Sequence, residues 1–158
     1  MTAETRWLTT TEERAWRGLL RMHDLLVNRA GRSMQDEFGL SASDYTVLAE
    51  LTRAPDGRLR IQELSRVLEW EKSRVSHHLT RMVRRGLVSR EECADDRRGA
   101  FVVVTAEGRA AITAAAPRHV EDVRRYFLDH LTPGQITLLA EIADLVVEKN
   151  LSGREAAP

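Results

Sequence analysis

Apolar residues recur at spacings of three and four from Trp16 through Leu19, Leu20, His23, Leu26, Val27, Ala30 and Met34 to Phe38. That is the period of one helix face, and it predicts an amphipathic helix from about Thr11 to Phe38. Thr10 followed by Glu13 forms a capping box at its start, and Gly39 is placed to end it. A second helix is predicted from Ser43 to Arg53, capped near Ser41, with Tyr45, Val47, Leu48 and Leu51 on its apolar side. Pro55-Asp56-Gly57 is a turn. Leu59 and Ile61 then fit a short strand before a brief helix from Gln62 to Leu68.

Beyond the turn Leu68-Glu69-Trp70-Glu71 the helical period returns in Val75, Leu79, Met82 and Val83, with Ser73 as the expected N-cap and a stop at Gly86. Alternation replaces it at 87–91 and again at 100–104, which predicts two antiparallel strands joined by Asp95-Asp96-Arg97-Arg98-Gly99. Thr105 opens another helix reaching about His130, with a kink expected at Pro117. Thr132-Pro133-Gly134-Gln135 starts the last one, which is expected to run to about Asn150. Residues 151–158 read as a flexible tail. The fold class is therefore mainly α with a small β-wing. A winged helix-turn-helix lobe (about 41–105) is flanked by dimerisation helices at about 11–40 and 106–150. Those outer helices carry more apolar surface than so small a core absorbs, which points to a second subunit.

Composition sharpens this picture. The chain has 158 residues, of which 42% are hydrophobic and 30% charged, and its formal net charge is zero. Against that neutral background, KSRVSHHLTRMVRRGLVSR at 72–90 holds Lys72, Arg74, Arg81, Arg84, Arg85 and Arg90 with no acidic residue. Positive charge concentrated on one helix, followed by a hairpin with arginines at its tip, is the footprint of a DNA-gripping surface. No apolar run approaches the roughly 20 residues of a membrane span. The N-terminus lacks the order of a signal peptide, so a cytoplasmic protein is expected. Cys93 is the single cysteine, which excludes an intrachain disulfide and a four-cysteine zinc site. No phosphate loop, nucleophile elbow or His-Glu-x-x-His motif is present. Neither an enzyme nor a cofactor is expected.

Four segments together, SASDYTVLAEL, IQELSRVL, SRVSHHLTRMVRRGLVSR and DDRRGAFVVVTAEGRA, resemble the MarR family of transcriptional regulators over about residues 11–150. The most specific part is Asp96-Arg97-Arg98 followed by hydrophobic alternation into Thr105, Glu107 and Gly108. The resemblance implies a homodimer that binds pseudo-palindromic operators in double-stranded DNA, with repression as the default. It matches Arg98 to an arginine entering the minor groove and Asp96 to a carboxylate that holds the wing's basic residues. WEKSRVSHH at 70–78 departs from the family pattern through Trp70, Lys72 and paired histidines. This bears on which bases are read rather than on the mode of binding.

A helix in the major groove presents its N-terminal side chains to base edges. Here these are Ser73, Arg74, Ser76 and His77, with Thr80 and Arg81 one turn on. Arg74 has the planar fork that pairs with guanine O6 and N7, and His77 can donate to a base or a phosphate. Lys72, Arg84 and Arg85 suit backbone contacts or solvated charge, and Arg97 suits a phosphate. A small effector is expected where dimerisation helices meet the lobe, with Trp16, His23, Tyr45 and Trp70 as candidates that would suit an aromatic or phenolic compound; for Trp16 and His23, which lie on the apolar stripe of a helix, core packing is the favoured role. Arg21 and Arg124 are weaker candidates for pairing with an anionic ligand. Two other readings stay open: oxidant sensing through Cys93, and a helical interaction module that binds no DNA. A metal held by His77, His78 and Cys93 is disfavoured, because neighbouring helical residues point about 100° apart.

Overall fold

The computed structural model describes residues 5–93 and 96–155; the side chains of 92–99 and 153–155 lie outside that description. Helix α1 (Thr10–Phe38) begins one residue earlier than its sequence pattern indicates. Thr9 is the cap: its hydroxyl accepts from the Glu12 amide at 3.3 Å, and the Glu12 carboxylate accepts from the Thr9 amide at 2.7 Å. The run Thr-Thr-Thr-Glu-Glu offers the same capping chemistry in two registers. The earlier one frees Glu13 to pair with Arg17 a turn later at 3.4 Å. Helix α2 (Ala42–Arg53) starts at Ser41 with a full capping box from Asp44.

Strand β1 (Arg58–Arg60) leads directly into α3 (Ile61–Val67), so Ile61 is helical rather than extended. The backbone turns at Glu69, a non-glycine residue with φ of 53°, and α4 (Lys72–Arg84) follows. Glu71, not Ser73, is the N-cap of α4, and it makes no side-chain cap bond. The physical reason lies just upstream. The Trp70 amide donates to the Ser65 carbonyl at 3.0 Å, and the Ser65 hydroxyl donates to the Trp70 carbonyl at 2.6 Å. The turn is therefore closed by Trp70, and the helix can begin at once.

Strands β2 (Val88–Cys93) and β3 (Asp96–Val104) form the wing, and β1 completes an antiparallel sheet in the order β1-β3-β2. Leu59 pairs with Val102 and Val88 with Val104. The hairpin is longer than alternation indicates, because a register shift at Glu92/Cys93 lets pairing continue to Asp96. Helix α5 (Ala106–Tyr126) runs through Pro117 as one element and ends short of His130, where a 3-10 turn (Leu128–His130) takes over. Helix α6 (Pro133–Glu155) continues past Asn150.

The core lies between α2, α3, α4 and the sheet, where Leu48, Leu51, Leu64, Leu79, Met82 and Val102 have no exposure. One contact ties α5 to the end of α4. Thr105 caps α5 by accepting from the Gly108 amide at 3.0 Å, and its hydroxyl also lies 2.6 Å from the Gly86 carbonyl. Gly108 must be glycine there, since a Cβ would collide with the Leu87 carbonyl oxygen. Gly108→Ala is expected to cost about 2–3 kcal/mol by overpacking, read as a lower urea midpoint. Gly134→Ala, where a Cβ meets nothing within 4 Å, should be neutral or slightly stabilising. Equal midpoints for the two variants would refute this close approach.

Candidate nucleic-acid interface

Helix α4 has two faces with different tasks. Val75, His78, Leu79 and Met82 are buried, while Lys72, Ser73, Arg74, Ser76, His77, Arg81 and Arg84 are exposed. The structure thus brings the exposed residues singled out from the sequence onto one helix, with no carboxylate in its first turn. Thr80 is half-buried. Its hydroxyl donates to the Ser76 carbonyl at 2.9 Å and accepts from Arg90 of β2 at 3.2 Å. Arg90 also donates to the Ser76 carbonyl at 3.0 Å. Two cations of the basic stretch therefore act within the protein, since Arg85 does so as well.

Arg85 reaches back across the fold. It donates to Asp44 Oδ2 at 2.7 Å and to the Gly39 carbonyl at 2.6 Å. Asp44 is only 3% exposed. Burial by itself would raise its carboxyl, but the His78 ring, the Ser41 amide, the Arg85 guanidinium and the Ser41 hydroxyl outweigh burial. Together they hold it well below the usual carboxylate range. His78 is 5% exposed, and its donor pattern follows from its neighbours. Arg81 lies 2.9 Å from Nδ1 and can only donate, so Nδ1 accepts and the ring proton sits on Nε2. Nε2 lies 3.1 Å from Asp44 Oδ1. His77 and His78 point to opposite environments, one solvated and one internal. Among the described residues no cluster of His, Cys, Asp and Glu could hold a metal ion.

Arg74 stacks on Trp70, with its guanidinium carbon 4.2 Å from the ring centroid. On the sheet, Arg58 and Arg60 lie over Phe101 at 4.9 and 5.4 Å. These two arginines were not singled out from the sequence. Their i, i+2 spacing on a strand places them on one face, which is the signal that could have found them. The side chains of Asp96, Arg97, Arg98 and Cys93 lie outside the described residues, so the structure places only their strands.

The four aromatic candidates do not share a site. Tyr45 lines a cavity of about 250 Å³ between α1, α2 and α5 with Leu26, Val27, Ala30, Met34, His119 and Val123 among its neighbours. The rings of Tyr45 and His119 are 4.4 Å apart. Burial pushes the His119 imidazole down, against the pull of Asp122, and pushes the Tyr45 phenol up, against Arg53. Trp16, 53% exposed, borders a separate groove with Trp7 and Leu20. His23 is exposed beside Asp24 at 3.4 Å, and Trp70 sits edge-on to His78 at 5.6 Å. Sequence reading missed His119, which lies on the helix after the wing and meets Tyr45 only in the folded chain. Among the described residues no helix is long and apolar enough to cross a membrane.

Comparison with known proteins gives a consistent result. The model of the MarR family matches residues 38–99. The crystal structure of AbsC, a MarR family transcriptional regulator from Streptomyces coelicolor, is 40% identical and superposes with a TM-score of 0.86 over 94% of this chain and 99% of that one. Sco3205, a regulator of the same family and organism crystallised in complex with DNA, is 37% identical with a TM-score of 0.88, covering 94% of this chain and 92% of its own. A cysteine-to-serine mutant of MarR from E. coli complexed with operator DNA shares the fold at 20% identity and a TM-score of 0.69, over 84% and 96% of the two chains. A search of curated protein sequences returned no match.

The Asp44 network supports a stability prediction. Asp44→Ala removes the ion pair with Arg85 and the carboxylate half of the α2 capping box, and is expected to cost about 3 kcal/mol at neutral pH. Because the folded carboxyl is depressed, its contribution is fully present above the unfolded value of about 3.9 and is lost as pH falls below it. Urea unfolding of wild type and variant should differ by the same amount from pH 7 to 5 and converge below about pH 4. A gap that stays constant into acid would remove Asp44 as its source.

Proposed function

The chain belongs to the MarR family of transcriptional regulators, and from that premise we propose that it is a homodimeric repressor binding a pseudo-palindromic operator. The observation that carries this reading is the outward face of α4: Lys72, Arg74, His77, Arg81 and Arg84 are all exposed on one helix. The 37%-identical Sco3205 was crystallised with DNA. Here Ser73, Arg74, Ser76 and His77 face base edges, with Thr80 and Arg81 a turn further in. Lys72 faces a phosphate. Arg97 and Arg98 are proposed for the wing on sequence position, after the hairpin turn, with Asp96 steadying them.

Dimerisation is supported by what the single chain leaves uncovered. Trp7, Leu8, Trp16, Leu19 and Leu20 are exposed near the start of α1, and Leu138, Ile142, Leu145, Val146, Val147 and Leu151 along α6. Helix α6 barely touches the other described elements, and a helix of that length and apolarity is stable in water only when packed. A second copy would cover it and set two α4 helices about 34 Å apart, one turn of DNA.

Release by a small effector is supported by the cavity at Tyr45. It lies between α1, α2 and α5, at the join between the outer helices and the lobe, and its lining includes no lysine or arginine. An apolar hole of about 150 Å³ already holds benzene, so an uncharged aromatic ring with one hydroxyl fits, hydrogen-bonded by Tyr45 or His119.

Selection from random DNA should enrich an inverted repeat with half-sites about one helical turn apart. On that operator Lys72→Ala is expected to lower the log–log salt slope by about 0.9 with little change in preference. Arg74→Ala should lose about 1–3 kcal/mol of discrimination at one base pair. No enrichment, with salt-insensitive weak binding, would overturn the reading in favour of a helical interaction module. For the effector, Ala30→Leu should abolish operator release by phenolic aromatics while leaving operator affinity within about twofold; unchanged release would exclude this cavity.

A further inference from the structure

Trp70 and His78 belong to the stretch that departs from the family's pattern, and the structure places them in one continuous set of contacts. Asp44 faces His78 Nε2 at 3.1 Å, and Arg81 donates to His78 Nδ1 at 2.9 Å. The Trp70 ring stands edge-on to the His78 ring, 87° between planes and 5.6 Å between centroids. Arg74 lies over the indole at 4.2 Å. Trp70 is itself immobilised, its amide and carbonyl both bonded to Ser65, a mostly buried residue.

Each contact removes freedom from a side chain that would otherwise be mobile. Arginine carries more rotamer entropy than most side chains, which a base contact must overcome when the side chain is loose. A guanidinium held over the face of an indole, 4.2 Å from its centroid, has fewer orientations open to it, and a restrained fork loses less freedom on pairing with a guanine's O6 and N7. Arg81 is restrained in the same way, through one of its nitrogens on His78. Two exposed arginines on α4 are therefore tied to the interior through Trp70 and His78 rather than held by surface carboxylates.

We infer that Trp70 and His78 are positioning residues for DNA readout: Trp70 presets Arg74, and His78 supports both Trp70 and Arg81. This rests on the DNA-binding reading above and deepens it by naming what sets base preference. It also accounts for a half-buried tryptophan and a buried second histidine in a basic segment.

The test uses the full-length protein on the operator it selects. Trp70→Leu should weaken operator binding about three- to tenfold and flatten preference at the same base pair that Arg74→Ala affects. Its salt slope should match wild type, because no charge is lost. Trp70→Phe, which keeps a ring, should fall between the two. The double variant Trp70→Leu/Arg74→Ala should bind within about twofold of Arg74→Ala alone, since contacting residues acting through one another are not additive. A general loss of stability would move all base pairs together and would lower the thermal midpoint, so preference at one position separates the two causes. If Trp70→Leu folds poorly, Arg74→Lys decides instead. It keeps the charge but loses the planar stack, and Trp70→Phe should then have no further effect in that background. Unchanged preference in Trp70→Leu and Trp70→Phe, or additive losses in the double variant, would overturn the assignment while leaving operator binding intact. Failure of the wild-type protein to select any sequence would instead remove the DNA-binding reading beneath it.

Discussion

Asp44 is a carboxylate withdrawn almost completely from water, and a lone ion in that position would be untenable. Its partners come from different parts of the chain: the cap of its own helix at Ser41, His78 on α4, and Arg85 at the C-cap of α4. Arg85 also takes the Gly39 carbonyl that closes α1. One buried charge therefore fixes the end of α1, the start of α2 and the orientation of α4 at once. An apolar contact would allow α4 to rotate or slide by fractions of a turn, whereas the directed bonds of Arg85 at its end and the close approach of His78 oppose this.

The basic stretch is consequently not a uniform positive surface. Its members divide by what lies across from them. Lys72 and Arg84 are directed to solvent. Arg74 and Arg81 are exposed but braced from behind by Trp70 and His78. Arg85 and Arg90 are engaged with protein, the first holding helices together and the second clipping β2 to the middle of α4. A wing clipped to the helix beside it moves with that helix as one body, so major-groove and minor-groove contacts would be set together.

The same end of α4 is joined to the outer helices. Thr105 takes up the carbonyls of Gly86 and Leu87 and also caps α5. The cavity at Tyr45 lies on the other side of α2, where α1 and α5 converge. A ligand that altered the packing of α1 against α5 would act on helices whose ends are bonded to the residues that follow α4. Mechanical continuity of this kind would give the proposed effector a physical route to the spacing of the two lobes of the proposed dimer.

Local pattern alone determined a great deal: six helices, the wing, the concentration of charge at 72–90 and the apolar excess of the outer helices. Those features depend on residues three, four or two apart, which the chain specifies by itself. What it left undecided depends on distant neighbours. Capping registers were ambiguous wherever two adjacent residues offered the same chemistry, as at Thr9 and Thr10. Helical phase put His78 on the buried side, yet the carboxylate that makes a buried histidine acceptable lies 34 positions earlier in the numbering, and Arg85 meets Asp44 across a separation of 41. Similarly, Tyr45 and His119 share a cavity wall only because α2 and α5 pack together. Periodicity states which way a side chain points along its own element. Only the packed tertiary structure decided what stood opposite it, and so which arginines are engaged within the protein and which face solvent.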